Sequence, residues 1–186
     1  MTMSDLDSFP VWQVQDRFLE LHSRWLTLIG EHLRDGEGNL LEYWRVEKAD
    51  SVIVLPIQDD SLIVLPPTYR PGLGRATIDF PGGRLLPGHP TETVATNILC
   101  RELAIVPEAI KELIPINFQV WAINSSFSNQ KLYGFVAHLH SKSIVDSNPA
   151  KTYRMTQEGV QMLLQELTCL QCRAVFLEWW LNQGQA

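Results

Sequence analysis

The residues between Phe80 and Ile105, FPGGRLLPGHPTETVATNILCRELAI, begin as a loop and helix suited to handling diphosphates. Gly82 and Gly83 allow tight backbone geometry and close approach of a ligand. Arg70, Arg75 and Arg84 flank the same stretch, and guanidinium forks there could hold phosphate oxygens. The helical middle of the stretch has few acids for metal or base chemistry: Glu102 follows Arg101 directly, and its neighbours three and four residues away are Ile98, Leu99, Ile105 and Val106. Two further patterns carry potential chemistry. His138 and His140 alternate on a strand-like segment and would share a face, but without a third ligand nearby they read as edge-strand histidines. Cys169-Leu170-Gln171-Cys172 is a C-x-x-C inside a helical pattern with no second pair and no strand leading into it, which favours packing thiols over zinc or redox chemistry.

The elements that must position these residues follow from periodicity. Thr91 to Leu103 carries Val94, Ala95, Ile98, Leu99 and Leu103 at three- and four-residue spacings, which predicts a helix with one apolar face. SVIVLPI and SLIVLPP, separated by QDD, predict a strand pair with a tight turn, and TIDF predicts a short strand that stops at Pro81-Gly82-Gly83. RDGEGN, residues 34–39, predicts a hairpin turn, whereas Val11 to Leu28 shows no clean period. Pro107 is expected to open a short helix through Leu113. INFQVWAI and KLYGFVAHLH read as strands around the polar loop NSSFSNQ, and Thr156 to Asn182 reads as one long helical segment. The expectation is a single α+β domain over residues 1–186, with a mixed sheet, an N-terminal extension over 1–24 and a C-terminal helical segment over 156–182.

Composition narrows the function classes. With 186 residues, 45% of them hydrophobic and six Trp, the chain can close a sizeable core. A formal net charge of −6 provides no basic stripe for a phosphate backbone, so nucleic acid is not an expected partner, while a small anion in an arginine-lined cleft is compatible. Three cysteines do not suggest a disulfide framework. The N-terminus lacks a basic region followed by a long apolar run, and no later run has the apolar length of a membrane span, so a soluble, cytoplasmic protein without membrane association is expected.

The order strand, Pro-Gly-Gly, basic residue, Pro-Gly, helix, Arg-Glu-Leu resembles the Nudix hydrolase family, in particular its ADP-ribose pyrophosphatase-like branch. The resemblance runs from roughly Trp25 to His140 and includes the paired strands and Tyr-Arg segment of ADSVIVLPI to TIDFPGGR. It implies a Nudix-like α/β/α sandwich with a mixed sheet, a loop-helix-loop and a C-terminal helix. Laid without a gap from Gly83, the family's signature keeps its glycine, its aliphatic positions and one glutamate, Glu102. Its other acidic positions fall on His89, Ile98 and Arg101.

The family's glutamates hold magnesium or manganese, which polarises the diphosphate and helps water attack phosphorus. By resemblance Glu102 is therefore the residual candidate for catalysis and for metal binding. Arg101 beside it opposes a cation and tends towards an ion pair. Where many members read Ser-Asp-Glu before the strand after the signature, this chain reads Ser128-Asn129-Gln130, which keeps oxygen acceptors but no anionic ligand. Asn129 and Gln130 thus join Arg70, Arg75, Gly82, Gly83 and Arg84 as candidate ligand-binding residues. The expected function is nucleotide-metabolite binding or regulation with little or no hydrolysis. Two alternatives stay open: an active hydrolase with a rearranged metal site using Asp79, Glu92, Glu108 or Glu112, and an interaction protein with a vestigial pocket. Resemblance further implies a homodimer formed through N-terminal strands.

Overall fold

The computed structural model describes residues 10–117, 119–143 and 150–183. The chain forms two compact units, Met1–Ala49 with Ala122–Gln130, and Asp50–Trp121 with Lys131–Ala186. In the first unit, β1 (Gln13–His22), β2 (Thr27–Arg34) and β3 (Leu40–Glu47) make an antiparallel sheet in that order. The β2–β3 hairpin is where the sequence placed it. Asp35 organises its turn by accepting the Glu37 and Asn39 backbone N–H groups at 2.9 and 2.8 Å, and Gly38 takes the left-handed conformation at φ 90°. The expected extension over 1–24 instead contains strand β1; its first nine residues lie outside those described. Register shifts between Val14 and Asp16 and between Arg17 and Leu19 break the period-two pattern that would have revealed it.

Among the described residues of this unit, one carboxylate is buried. Glu31 is 2% exposed and accepts from Arg45 Nε at 2.7 Å, with Arg17 Nε at 3.3 Å. The hydrogen bond from Arg45 holds the Glu31 carboxyl below the usual carboxylate range, against the opposing effect of burial. A folded value below the unfolded one makes this stabilisation fully present above the ordinary glutamate range and lost as pH falls through the depressed value. Glu31→Gln is therefore expected to cost about 2 kcal/mol at pH 7, because both arginines are partly solvated. In urea titrations the gap between wild type and variant should close as pH drops below about 4; a gap that persists there would mean that charge at Glu31 is not what stabilises the sheet.

The second unit is built on β4 (Asp50–Gln58), whose β-branched run pairs in parallel with the later β11. The remaining elements are β5 (Ser61–Val64), the small ribbon of β6 (Thr68–Arg70) and β7 (Arg75–Thr77), β8 (Gly82–Leu85), helix α1 (Thr91–Leu103), a 3₁₀ turn at Pro107–Ala109, β9 (Ile110–Pro115), β10 (Trp121–Ala122), β11 (Lys131–Leu139), β12 (Lys151–Arg154), α2 (Gln157–Glu166) and α3 (Leu170–Gln183). β8 and β5 pair antiparallel with opposite ends of β4, β9 lies antiparallel on β11, and β12 lies on β5. Alternation assigns the two faces. Val52, Val54, Phe135, Ala137 and Leu139 pack with Ala95, Ile98, Leu99 and Leu103 of α1. Val175 and Phe176 of α3 are fully buried, and Phe176 stacks near Phe80 with ring centroids 6.2 Å apart.

Four expected elements differ. Thr77 ends β7, and residues 78–80 run extended with single backbone bonds, Leu65 N–H to Asp79 O and Val54 N–H to Pro81 O, both 3.0 Å. Gly82 and Gly83 lie inside β8, not at a stop, and the left-handed turn falls later, at Gly88 with φ 82°. The helix expected from Pro107 to Leu113 lasts only through Ala109 and then becomes β9, while INFQVWAI is strand only at Trp121–Ala122, with Phe118 outside the described residues. The C-terminal segment is two helices. Leu167 ends the first turn sequence with its N–H on Leu163 O at 2.8 Å, and Arg173 Nη1 donates to the freed carbonyls of Leu164 and Leu167 at 2.6 and 2.9 Å.

Candidate functional site

Helix α1 begins after Pro90, carries Glu92 in its first turn and ends at Ala104 in the left-handed conformation. Its apolar stripe faces the sheet, and that orientation fixes what each candidate residue does. Ile98, at the position where the family resemblance would place a glutamate, is 1% exposed and lies in the core cluster. Its neighbour is Gly83 of β8: a Cβ added there would lie 2.9 Å from Ile98 Cγ1. The glycine therefore admits the isoleucine, so the side chain that stands where the resemblance would place an acid is fixed by a packing contact with β8.

Arg101 and Glu102 lie on the exposed side. Arg101 donates to Glu102 Oε1 from Nε at 2.9 Å and from Nη2 at 2.7 Å, and the same Nη2 reaches Gly82 O at 3.1 Å. One guanidinium thus holds the helix's carboxylate and a carbonyl of β8 together. A divalent cation of the magnesium or manganese type binds several oxygens in near-octahedral geometry. Here Glu102 is already engaged by a fixed positive charge and the helix's other carboxylate, Glu92, lies in its first turn at the opposite end, so the donor set does not fit such an ion. His89 is exposed in the loop before the helix, with its backbone N–H on Leu86 O at 3.3 Å.

The other candidates are dispersed. Arg70 donates to Asp79 from Nε at 2.9 Å and also from Nη2, so it serves the β6–β7 ribbon's attachment to the segment before β8. Arg75 pairs across that ribbon with Arg70, and Arg84 lies opposite Ser51 on β8; both arginine side chains are exposed. Asn129 and Gln130 belong to the first unit. Asn129 Oδ1 accepts the Lys48 backbone N–H at 3.0 Å, and Gln130 Nε2 donates to Ala49 O at 2.9 Å. Gly82, Gly83, Arg101 and Glu102 are therefore brought together, Arg70 is drawn to Asp79, and the two amides staple the end of β3 to residues 122–130.

The carboxylates considered for a rearranged site do not converge. Glu92 and Glu108 sit at the starts of two different helical turns, Glu112 is exposed on β9 and Asp79 is bound to Arg70. His138 and Glu112 face one another across β11 and β9 and, with Asp59, Lys111 and His140, line an open depression of about 460 Å³. None of the candidate ligand-binding residues lines it. Among the described residues, one group of three metal-capable side chains comes close enough to share an ion, and it joins Asp79 to the two cysteines that the sequence reads as packing thiols, Cys169 and Cys172. The reach of Arg101 to Gly82 O was also missed; seeing it requires the β8 register, for which the sequence offers no signal.

No family model and no curated protein matches the chain. A solved structure described as an ADP compounds hydrolase aligns with a TM-score of 0.74 and 20% identity, over 96% of this chain and 98% of that one. At this identity the likeness establishes the fold: the chain has a Nudix-like α+β architecture with a mixed sheet.

Proposed function

We propose that this chain is a Nudix-fold protein of the ADP-ribose pyrophosphatase-like type that binds a nucleoside diphosphate derivative and hydrolyses it little or not at all. The contact of Ile98 with Gly83, together with the hold of Arg101 on Glu102, carries this reading. Nudix hydrolases generally use magnesium or manganese, and a cation approaching Glu102 would meet a guanidinium that donates twice to its Oε1. For an anionic ligand the same replacement is favourable, because a diphosphate meets one less carboxylate and one more arginine. Arg75 and Arg84 are proposed to hold its oxygens, and the whole chain is proposed as one domain acting in a sensing or scaffolding role. The reading includes a soluble, cytoplasmic protein; no helix among the described residues is long and apolar enough to cross a membrane.

Calorimetric titration with ADP-ribose in a metal chelator tests it. Saturable binding is expected, weakened about tenfold or more by Arg75→Ala or Arg84→Ala, the cost of a charge-assisted hydrogen bond. Absence of binding to ADP-ribose, nucleotide sugars and dinucleoside polyphosphates alike would eliminate the diphosphate reading.

A second copy is the proposed partner. β1 is an edge strand of its sheet, and around it Val14, Leu21 and Trp25 stand more than half exposed and Trp12 nearly half. Such an apolar edge is normally covered. Sedimentation that gives a monomer at micromolar concentration would remove this part of the proposal.

A further inference from the structure

The C-x-x-C does not lie within a continuous helix. Cys169 immediately precedes α3, and the Arg173 backbone N–H donates to Cys169 O at 3.0 Å, which makes Cys169 the capping residue of the helix. Arg173 also fixes the preceding bend through its two bonds to Leu164 and Leu167. Cys169 is half-buried and Cys172, one turn on, is 3% exposed. The two sulfurs and an Asp79 carboxylate oxygen all lie within 4.8 Å of one another, with Cys172 Sγ 3.9 Å from Asp79 Oδ1.

These positions divide the labour between the thiols. Hydrogen bonds from the Cys172 thiol, and then from the Cys172 and Gln171 backbone N–H groups at the helix start, pull the Cys169 thiol down to about 6, against the effect of burial. The Cys172 thiol is pushed up, by its hydrogen bond to Cys169 and by burial. These shifts favour a thiolate on the more accessible sulfur and a protonated thiol on the buried one. Helical residues three apart place β-carbons about 5–6 Å apart, whereas a disulfide needs about 3.5–4.5 Å. Because Cys169 lies just outside the helix, it is free to close that gap. A metal is the competing occupant of two sulfurs and a carboxylate, but Arg70 already holds Asp79, and its fixed charge opposes a cation there.

We propose that Cys169 and Cys172 form a reversible dithiol–disulfide couple whose substrate is a small-molecule disulfide. The Cys169 thiolate attacks one sulfur of the disulfide RSSR, forming a mixed disulfide and releasing RS⁻, which takes a proton from water. Cys172 then passes its proton to Asp79 and attacks Cys169 Sγ, forming the Cys169–Cys172 bond and expelling the second RS⁻, which is protonated in turn. The sum is one protein dithiol plus RSSR giving one protein disulfide plus two RSH, and excess RSH reverses it.

The test uses the full chain, reduced, freed of reductant and treated with oxidised glutathione, then labelled with maleimide and weighed intact. The expected product has lost two hydrogens, carries no glutathione and takes one label, at Cys100, in place of three. Cys172→Ser should trap a glutathione adduct on Cys169, with Cys172→Ala as a second trap and circular dichroism confirming the fold of both; Cys169→Ser should form no adduct at Cys172. Alkylation of Cys169 by iodoacetamide in the wild type should rise with pH through a midpoint near 6. Three labels after oxidation, an adduct mapping to Cys100, or stoichiometric zinc released on thiol modification would overturn the proposal.

Discussion

Replacing Ile98 by Glu is expected to unfold the second unit or bring it close to unfolding, without conferring any dependence on magnesium. The isoleucine is 1% exposed among Val52, Val54, Leu99 and Phe135, and it fills the space left by Gly83. Losing that burial costs about 2–3 kcal/mol. Placing a carboxyl there without a partner adds a comparable or larger amount, even after the group protonates. The total, about 4 kcal/mol or more, is a large share of the roughly 5–15 kcal/mol that holds a domain together. Ile98→Val, which keeps the shape, should cost only about 1 kcal/mol. Thermal melts of both variants, with and without magnesium, separate the readings. A well-folded Ile98→Glu whose melting temperature rises with magnesium would mean that this position opens onto a cation site and not onto the core.

The second large effect is expected at the start of α2. Gly159 lies in the first turn of α2, where its N–H is accepted by the capping Thr156 side chain at 3.2 Å. A Cβ at Gly159 would meet Arg154 O at 2.1 Å. That obstacle is backbone at the end of β12, so it cannot rotate away as a side chain could. Gly159→Ala must either lift the helix start from the strand or break the cap, and overpacking of this kind costs about 3 kcal/mol. For a chain of this size the midpoint should fall by about 6–12 °C. An unchanged melting temperature would place the start of α2 further from β12 than the fold described above allows.

The sequence was most readable where one period dominates. Helix α1 occupies Thr91–Leu103 with the expected residues inward, because four buried positions recur at strict helical spacing. The β4 and β11 runs were legible as strands for the same reason, with Val, Ile and Phe facing a fully covered sheet. It failed where two periods coexist. Ile110, Leu113 and Ile114 satisfy helical spacing as well as they satisfy β9, and the pairing with β11 decides between them. The apolar-rich helical pattern from Val160 to Trp179 carries on through the bend after α2, since Leu167 is itself buried; Arg173 marks that bend.

The candidate site divides along the same line. That Ile98 and Arg101 stand where the resemblance would place acids could be read directly from residue types, and so could the adjacency of Arg101 and Glu102. The ribbon pairing that sends Arg70 to Asp79, and the helix start that exposes Cys169, depend on tertiary register. Both involve Asp79, whose TIDF context reads as an ordinary strand; no spacing rule brings residue 79 to residues 169 and 172.

The most direct measurement is cleavage of ADP-ribose, NADH, nucleotide sugars and dinucleoside polyphosphates with magnesium or manganese, followed by chromatography, with Glu102→Gln as the control. That control should be well folded, since its lost ion pair with Arg101 is partly exposed and contributes about 0.5 kcal/mol. The expected result is no turnover above background from either protein. Metal-dependent turnover at the rates of working enzymes, about 1 per second or faster, abolished by Glu102→Gln, would contradict it and show that Glu102 leaves Arg101 to hold a catalytic metal.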